Sequence, residues 1–280
     1  MRLLIRLIAA AALVSLALPA AAQDKVRLLL DWFVNPDHAA LIIARDKGFF
    51  AKQGLEVQLI APADPNAPPR LVAAGQADLA VTYQPQLHIL VDGGLPLVRV
   101  GVLVGQPLNT VLVLEDGPIK SLADLKGKKI GYSVGGFESA VLSSMLESAG
   151  LKLSDVKLVN VNFNLSAALL AKQVDAVVGG YRNFELNQMA IEKHPGRAFL
   201  VEQYGVPLYD ELILVARKDR VDAANTGQHV LDKPLMARHI NKANLASIRE
   251  TQTAKPQIDR DTAQLLFLQA IWVCARESLD

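Results

Sequence analysis

Short apolar runs alternate with amphipathic helical stretches along most of this chain. The apolar runs are bounded by glycine, proline or polar residues and have the length of buried strands. We predict strands at 26–30, 55–60, 78–82, 97–103, 110–114, 129–133, 156–161, 174–178 and 212–216. Helices are predicted at 39–47, 70–74, 87–91, 139–149, 166–173 and 185–192, with a short one after Ser121. Such alternation indicates an α/β fold.

The alternation is interrupted at Glu115-Asp116-Gly117-Pro118, where turn-forming residues follow a strand. We interpret this segment as a crossing between two α/β lobes. Residues 23–116 and 217–280 would form lobe one, and residues 117–216 would form lobe two. Two lobes joined by two extended crossings predict a clamshell with mixed sheets, a hinge and a ligand in the cleft.

The first 22 residues have the pattern of a signal peptide. Arg2 and Arg6 lie in a short charged start, 7–18 is apolar but short for a membrane span, and Ala20-Ala21-Ala22 supplies small residues for cleavage. We expect export to the periplasm and a mature chain that begins near Gln23. Because no lipobox cysteine follows the leader, we expect no lipid tether.

Charge and cysteine content narrow the function classes. The leader contains two of the 29 basic residues and none of the 28 acidic ones, so the mature chain is nearly neutral. Without a basic stripe or a second long apolar segment, we expect neither nucleic-acid binding nor an integral membrane role. Cys274 is the single cysteine, which excludes an intrachain disulfide.

The run 30–38 follows the first predicted strand and collects groups suited to ligand binding. Ligands of α/β sheets bind beyond the carboxyl ends of the strands. Trp32 can stack on a flat heteroaromatic ligand, and Asn35, Asp37 and His38 can contribute hydrogen bonds to ring nitrogens or an amino group. Alternatives remain open at this point. Trp32 also fits a core position, Asp37 a helix N-cap and His38 a solvated helix start.

Later loops supply further candidates of the same kinds: aromatic rings, amides, carboxylates and glycines. The predicted ligand-binding residues there are Tyr83, Gln84, Gly135, Gly136, Phe137, Glu138, Asn162, Tyr181, Asn183 and Glu185. Asn162 and Asn183 equally fit turns or helix caps. Weaker candidates are Tyr209, Asp210 and Glu211 near the returning strand.

The segment 133–139 follows a strand and opens a helix, and it bears on the charge of the ligand. Its backbone N–H groups suit an anion such as a sulfonate, nitrate or phosphate. Glu138 in the first turn opposes an anion and favours an amino or cationic ligand. Glu138 could also act only on the helix dipole, so this segment leaves both kinds of ligand open.

Motifs of metal binding and of phosphate binding are missing from the sequence. It has no His-Glu-x-x-His helix, no paired cysteines and no Gly-x-x-x-x-Gly-Lys phosphate loop. The remaining histidines, at 88, 194, 229 and 239, are scattered. We expect no metal, no cofactor and no enzymatic activity.

Three segments carry a family resemblance. The strings Asp46–Val57, Ala74–Val81 and Ser121–Gly131 resemble the substrate-binding proteins of ABC importers with the type II periplasmic fold. The string Leu30–His38 and Tyr83-Gln84-Pro85 are similar to the thiamine-precursor branch, the pyrimidine-binding proteins related to eukaryotic pyrimidine-precursor synthases. The resemblance runs from about 25 to 217, and beyond it the chain is polar from 222 to 260.

The resemblance implies a monomeric periplasmic protein that binds a thiamine-related aminopyrimidine between its lobes and delivers it to an inner-membrane permease. One alternative is a synthase-like enzyme, although the synthases carry a cysteine-rich iron-binding motif and this chain has only Cys274. Another is a nitrate, sulfonate or taurine receptor, which Glu138 and the acidic site candidates disfavour. A sensory role for the same clamshell also remains open.

Overall fold

A computed structural model describes residues 23–222 and 230–231 of the chain. The predicted signal peptide at 1–22 lies outside the described residues, as does nearly all of the C-terminal part that we assigned to lobe one.

The strands are β1 (Asp24–Leu29), β2 (Leu55–Ile60), β3 (Leu79–Thr82), β4 (Leu97–Val104), β5 (Asn109–Leu114), β6 (Lys129–Tyr132), β7 (Lys157–Asn160), β8 (Ala176–Tyr181), β9 (Gly196–Leu200), β10 (Leu212–Arg217), β11 (Val221–Asp222) and β12 (Val230–Leu231). The α-helices are α1 (Ala39–Asp46), α2 (Phe49–Lys52), α3 (Pro68–Ala73), α4 (Gln84–Asp92), α5 (Phe137–Ser148), α6 (Leu165–Leu170) and α7 (Glu185–Ile191). No helix in the described part of the chain is long and apolar enough to span a bilayer.

Two five-stranded mixed sheets organise the molecule, with the orders β2-β1-β3-β10-β4 and β7-β6-β8-β5-β9. In the first, β1 is parallel to β2 and β3, while β10 is antiparallel to β3 and β4. The second repeats this arrangement, with β6 parallel to β7 and β8, and β5 antiparallel to β8 and β9. The fold is therefore α/β with two lobes, as the alternation of apolar runs predicted.

The middle strands of both sheets are apolar on both faces because helices cover them. All four residues of β3 are buried, as are the first five residues of β5 and of β10. Such continuous burial is expected where a mixed sheet is covered on both sides. Rigid central strands then hold the loops at their ends in place.

The chain crosses between the sheets earlier than we predicted. Strand β4 belongs to the first sheet, but β5 pairs with β8 and β9 of the second. The crossing therefore lies at residues 105–108, and our interpretation of Glu115–Pro118 as the crossing is wrong. The segment after β5 is a turn in which Gly117 N–H donates to the Leu114 carbonyl. The strand β10 likewise pairs with β3 and β4, so our end of lobe two at residue 216 is wrong. We accordingly propose to end the first part of lobe one at Val104 and to begin its second part before β10.

Candidate ligand-binding site

The loops that follow β1, β3, β6 and β8 meet around one cavity between the two sheets. The empty space inside it is about 340 Å³, part of which is open to solvent. Lobe one contributes Asp31, Trp32, Asn35 and Tyr83 to its wall. The second sheet and its loops contribute Asn109, Phe137, Glu138, Gly179, Tyr181, Phe184 and Glu185.

Asp31 is the central polar residue on the lobe-one side, and we did not select it from the sequence. Its side chain is only 3% exposed. Its Oδ1 lies 2.8 Å from His38 Nε2, and its Oδ2 accepts a hydrogen bond of 3.1 Å from the Tyr83 hydroxyl. The position directly after a buried strand was the available signal, but we weighted its neighbours Trp32 and Asp37 instead.

His38 supports Asp31 and does not reach the cavity. Its ring is fully buried, and Nδ1 accepts a hydrogen bond of 3.3 Å from the Asn35 backbone N–H. Since a backbone N–H can only donate, Nδ1 carries no proton and Nε2 donates to Asp31. We therefore revise the predicted role of His38 from ligand contact to positioning residue.

Asn35 has both a capping role and a place in the cavity wall. Its side chain accepts a hydrogen bond of 2.9 Å from Asp37 N–H and caps the short 3-10 turn Pro36–His38. The N-cap of this turn is Asn35 and that of the following helix α1 is His38, so the alternative that Asp37 caps the helix beginning at His38 or Ala39 is wrong.

Trp32 belongs to the cavity wall and to the hydrophobic core of the second lobe at once. It packs edge-on against Phe163 with ring centroids 4.7 Å apart, and it clusters with Leu112 and Leu165. On the other side of the cavity Tyr83 and Phe137 stack at 5.1 Å with an interplanar angle of 20°. These aromatic contacts cross from lobe one to lobe two.

Glu138 stands in the first turn of α5 and is almost fully buried. Its Oε2 accepts a hydrogen bond of 2.7 Å from Ser133 N–H. Its carboxyl group packs directly against the backbone of Gly179, which has φ +100° and no room for a Cβ. Burial, together with the smaller effect of the negative charges of Glu211 and Glu185, raises the pKa of Glu138 to about 8.

Glu185 occupies the equivalent place at the start of α7. Its Oε2 accepts a hydrogen bond of 2.6 Å from Tyr181 N–H. Burial raises the pKa of Glu185 to about 7, with added repulsion from Asp37 and Asp31. Carboxyl groups from both lobes therefore crowd one poorly solvated space, which favours the protonated form.

Glu211, behind the cavity wall, joins the two chain crossings. Its Oε2 accepts hydrogen bonds from Leu108 N–H at 2.7 Å and from Asn109 N–H at 2.9 Å. The hydroxyl of Tyr209 donates to the same oxygen at 3.0 Å. Burial raises the pKa of Glu211 to about 7. Glu211 and Tyr209, our weaker candidates, thus lie where the strands pass between lobes and not in the cavity wall.

Two predicted site residues bind each other across the cleft. Asn183 Nδ2 donates a hydrogen bond of 2.6 Å to Asp37 Oδ1, and neither residue lines the cavity. Burial raises the pKa of Asp37. Gln84 is also outside the wall, because its Oε1 accepts a hydrogen bond of 2.7 Å from Asp210 N–H.

An asparagine from lobe one hydrogen-bonds the loop after β6 that contains Gly135 and Gly136. Asn66 Oδ1 accepts a hydrogen bond of 2.9 Å from Gly135 N–H, and Asn66 Nδ2 donates to the Ser133 carbonyl at 3.2 Å. Gly135 and Gly136 do not line the cavity. The N–H group of Gly135, one of those that we considered for an anion, is thus already satisfied by a side chain.

Asn162 also lies outside the cavity wall. It adopts a left-handed conformation with φ 52°, its N–H donates to Asn160 Oδ1, and its carbonyl accepts from the Ser133 hydroxyl. It therefore shapes a turn, which was the alternative that the sequence left open.

The structure thus brings half of our predicted residues together in one wall: Trp32, Asn35, Tyr83, Phe137, Glu138, Tyr181 and Glu185. The sequence reasoning missed Asp31, Asn109, Gly179 and Phe184. No cluster of histidine, cysteine or carboxylate side chains among residues 23–222 and 230–231 is arranged to hold a metal ion.

Comparison with known proteins places the chain among thiamine-related sequences. A putative thiamine biosynthesis protein from Haemophilus influenzae is 62% identical over 211 residues, which cover 75% of this chain and 67% of that protein. A formylaminopyrimidine-binding protein from Halalkalibacterium halodurans is 37% identical over 201 residues, 72% of this chain and 61% of that protein.

A third relative has an enzyme's name. A 4-amino-5-hydroxymethyl-2-methylpyrimidine phosphate synthase from Uromyces fabae is 35% identical over 56% of this chain and 46% of its own length. The chain therefore spans about half to two thirds of the length of these curated relatives.

Solved structures and the family comparison agree on the architecture. The alkanesulfonate-binding protein from Xanthomonas axonopodis pv. citri, solved with bound MOPS, matches with a TM-score of 0.61 at 18% identity, over 84% of this chain and 78% of that chain. This likeness shows the clamshell fold of type II periplasmic binding proteins and nothing about the ligand. The family described as NMT1/THI5 like matches residues 35–230, and the chain belongs to that family.

Proposed function

We propose that this protein is the solute-binding component of an ABC importer and holds a thiamine-related aminopyrimidine precursor between its two lobes. The observation that carries this proposal is the cavity wall, where aromatic rings alternate with the carboxyl groups of Asp31, Glu138 and Glu185. Aromatic rings suit a flat heterocycle, and carboxyl groups suit its ring nitrogens and amino group.

The same wall disfavours the sulfonate, nitrate and taurine alternative. No lysine or arginine lines the cavity in the part of the chain that the structure describes. The nearest arginine along the chain, Arg182, is engaged by Glu202 through two contacts of 2.7 Å. An anion would therefore meet carboxyl groups without a cation to balance it, whereas a neutral or basic amino-heterocycle would not.

Ligand binding would favour the closed arrangement of the lobes. The contacts Tyr83–Phe137, Asp37–Asn183 and Asn66–Gly135 already join the lobes around the cavity. A ligand that touches both walls adds contacts that exist only when the cleft is closed, and so it shifts the population toward closure.

The proposed role also requires a periplasmic location and a permease partner. A periplasmic location is supported by the leader pattern of residues 1–22, and a permease partner by the likeness to the ligand-binding component of an ABC-type import system. We further propose a monomer without enzymatic activity. The alternative is a synthase-like enzyme, which the match to synthases of a pyrimidine phosphate favours.

A binding panel tests this proposal. We expect formylated and free aminomethylpyrimidine to raise the melting temperature of the purified full-length protein, because a ligand that binds only the folded state stabilises it. Taurine, nitrate and an alkanesulfonate serve as controls and should leave it unchanged. A shift with the anions alone would overturn the proposal.

The same samples separate a binding protein from an enzyme. After prolonged incubation, the pyrimidine should be recovered chemically unchanged when analysed by mass spectrometry. Conversion of the pyrimidine to a new product would favour the synthase-like alternative.

A further inference from the structure

Four aromatic side chains form a continuous cluster between the two lobes. Trp32 and Phe33 lie in the loop after β1, whereas Phe163 follows β7 and Phe184 directly precedes α7. The ring centroids of Trp32 and Phe163 lie 4.7 Å apart. The ring centroid of Phe33 lies 6.3 Å from that of Phe163 and 5.8 Å from that of Phe184. We call these four residues the aromatic cluster, and each of these ring pairs joins lobe one to lobe two.

The loop that contains Trp32 and Phe33 is anchored to lobe one on both sides of these two residues. Before them, Asp31 accepts a hydrogen bond of 3.1 Å from the Tyr83 hydroxyl. After them, the Asn35 side chain caps the short 3-10 turn that leads into α1. When the lobes separate, both rings must therefore move with lobe one and lose their contacts with the rings of lobe two.

Phe163 lies on the side of lobe two that moves most when the lobes rotate. The crossing at residues 105–108 directly precedes β5, and β6 and β8 separate β5 from β7 in the second sheet. Three strand spacings amount to about 14 Å. The loop after β7, which contains Phe163, is therefore well removed from the crossing. Rotation of the lobes about that crossing separates Phe163 from Trp32.

Opening of the cleft has a cost that does not depend on a ligand. Trp32 is only 6% exposed and belongs to the same hydrophobic cluster as Leu165 of lobe two, so opening would transfer its indole ring to water. Phe33 is 41% exposed and does not line the cavity, although its ring contacts the other lobe. The contacts of Phe33 therefore stabilise the closed arrangement equally with and without a ligand.

We propose that the aromatic cluster keeps the cleft closed in most molecules even without a ligand, and that its opening controls how fast the ligand enters and leaves. The kinetic part of this inference rests on the proposed function, whereas the closure itself requires no ligand. Phe33 then acts on the rates of binding and release and leaves the affinity nearly unchanged.

The two rate constants depend on the open fraction of the protein. A ligand enters only open molecules, so the association rate constant is proportional to the open fraction of the free protein. The ligand leaves by the same route, so the dissociation rate constant is proportional to the open fraction of the complex. Because closed molecules predominate in both states, loss of an interlobe contact raises both open fractions by the same factor. The dissociation constant is the ratio of the two rate constants and stays the same.

Stopped-flow binding of formylated aminomethylpyrimidine to the full-length protein tests the kinetic part. In Phe33→Ala we expect both rate constants to rise about five- to tenfold, with less than about a threefold change in the dissociation constant. Phe33→Leu keeps a smaller apolar side chain and should have intermediate rates. Phe49→Ala is the matched control, because Phe49 is exposed to a similar extent, 46%, and its ring faces Lys52 of the same helix of lobe one. Its rates should equal those of the wild type.

Distance measurements on the ligand-free protein test the closure. Spin labels at Gln58→Cys in β2 and Lys157→Cys in β7, with Cys274→Ser to remove the natural cysteine, report on the edge strands of the two sheets. Both positions are exposed. One short distance should predominate in the wild type and in Phe49→Ala. Phe33→Ala should add a second population at longer distance.

Three outcomes overturn the inference. The first is a long distance that predominates in the ligand-free wild type, which does not depend on any substitution in the aromatic cluster. The second is an unchanged pair of rate constants in Phe33→Ala. The third is a rise in the dissociation rate constant alone, which would mean that the cluster stabilises only the complex. If the pyrimidine fails to bind at all, the proposed function fails, and the distance measurements still decide whether the cluster keeps the cleft closed.

Discussion

The polar residues of the cavity wall are each held from within their own lobe. His38 and Tyr83 hold the two oxygens of Asp31, while Ser133 N–H and Tyr181 N–H hold one oxygen each of Glu138 and Glu185. These bonds fix the side chains before a ligand arrives. Ligand binding then needs little side-chain ordering, which is one of the main costs of association.

Gly179 sets how closely the Glu138 carboxyl group can approach the sheet. We expect Gly179→Ala to destabilise the protein by about 1–3 kcal/mol, because alanine is strained at φ +100° and its Cβ would overlap the Glu138 carboxyl group. Chemical denaturation measures this loss. Displacement of Glu138 should also weaken ligand binding.

Gly54→Ala is the matched control for Gly179→Ala. Gly54 has a similar left-handed conformation, with φ +74°, but open space where its Cβ would stand. We expect a loss of about 1–2 kcal/mol from backbone strain and no change in ligand affinity. Equal effects of both substitutions on ligand affinity would contradict the role that we assign to Gly179.

Residue types in the loops were predictable, but their individual partners were not. Asp37 and Asn183 have the chemistry of ligand contacts, and yet they bind each other over a separation of 146 residues. Asp31 received less weight than its neighbours because nothing local shows that His38 and Tyr83 converge on it. Such pairings depend on how the two lobes face each other, which the periodicity of a strand or helix does not specify.

At the level of elements, the carboxyl ends of the parallel strands explain why these particular loops meet. Strands β1 and β3 end beside one another in the first sheet, and β6 and β8 do the same in the second. Loops at these ends project toward the same cleft, as is general for open α/β sheets. The loops that meet around the cavity are thus among those that the sequence predicted for ligand binding.

The sequence did not predict which sheet a strand joins, and it did not predict strands with few apolar residues. Strand β5 was correctly identified as a strand, but an apolar run does not indicate which sheet it joins. Strand β9 was missed because Gly196-Arg197-Ala198 begins it with only one apolar side chain and follows Pro195. Helix α4 begins at Gln84, before our predicted start, since Pro85 fits the first turn of a helix.

Asn66, in the loop between β2 and α3, joins the two lobes through hydrogen bonds to the loop after β6, and we call this contact the clamp. We expect Asn66→Ala to weaken pyrimidine binding by roughly tenfold, about 1.4 kcal/mol, because two hydrogen bonds to the loop of Ser133 and Gly135 are lost. The melting temperature without ligand should change little, since the core of each lobe is untouched. Calorimetric titration and thermal unfolding measure the two quantities.

Ser148→Ala is the control for the clamp, because it removes a hydrogen bond inside one lobe, from the Ser148 hydroxyl to the Met145 carbonyl. It should leave pyrimidine affinity unchanged. A loss of affinity in Ser148→Ala as large as in Asn66→Ala would show that the effect does not come from the contact between lobes.

At the scale of the whole molecule, closing the cleft gathers acidic groups that separate lobes would keep apart. Asp31 and Asp37 approach from the loop after β1, Glu138 and Glu185 from the second lobe, and Glu211 from the returning crossing. Each is buried or partly buried, so water screens their repulsion poorly. The folded protein without ligand therefore carries an unfavourable electrostatic energy that protonation relieves.

This arrangement predicts how the stability of the ligand-free protein depends on pH. The folded state raises the pKa of Glu138 to about 8 and that of Glu211 to about 7, so it binds more protons than the unfolded chain above about pH 5. The free energy of unfolding should then decrease from pH 5.5 to pH 8, by on the order of a few kcal/mol. Urea denaturation across this interval measures the slope. The slope should be smaller in Glu138→Gln, which cannot ionise, and unchanged in Glu147→Gln, at an exposed position of the same helix. Stability that rises steadily over this interval would contradict burial of protonated carboxyl groups in the closed cleft.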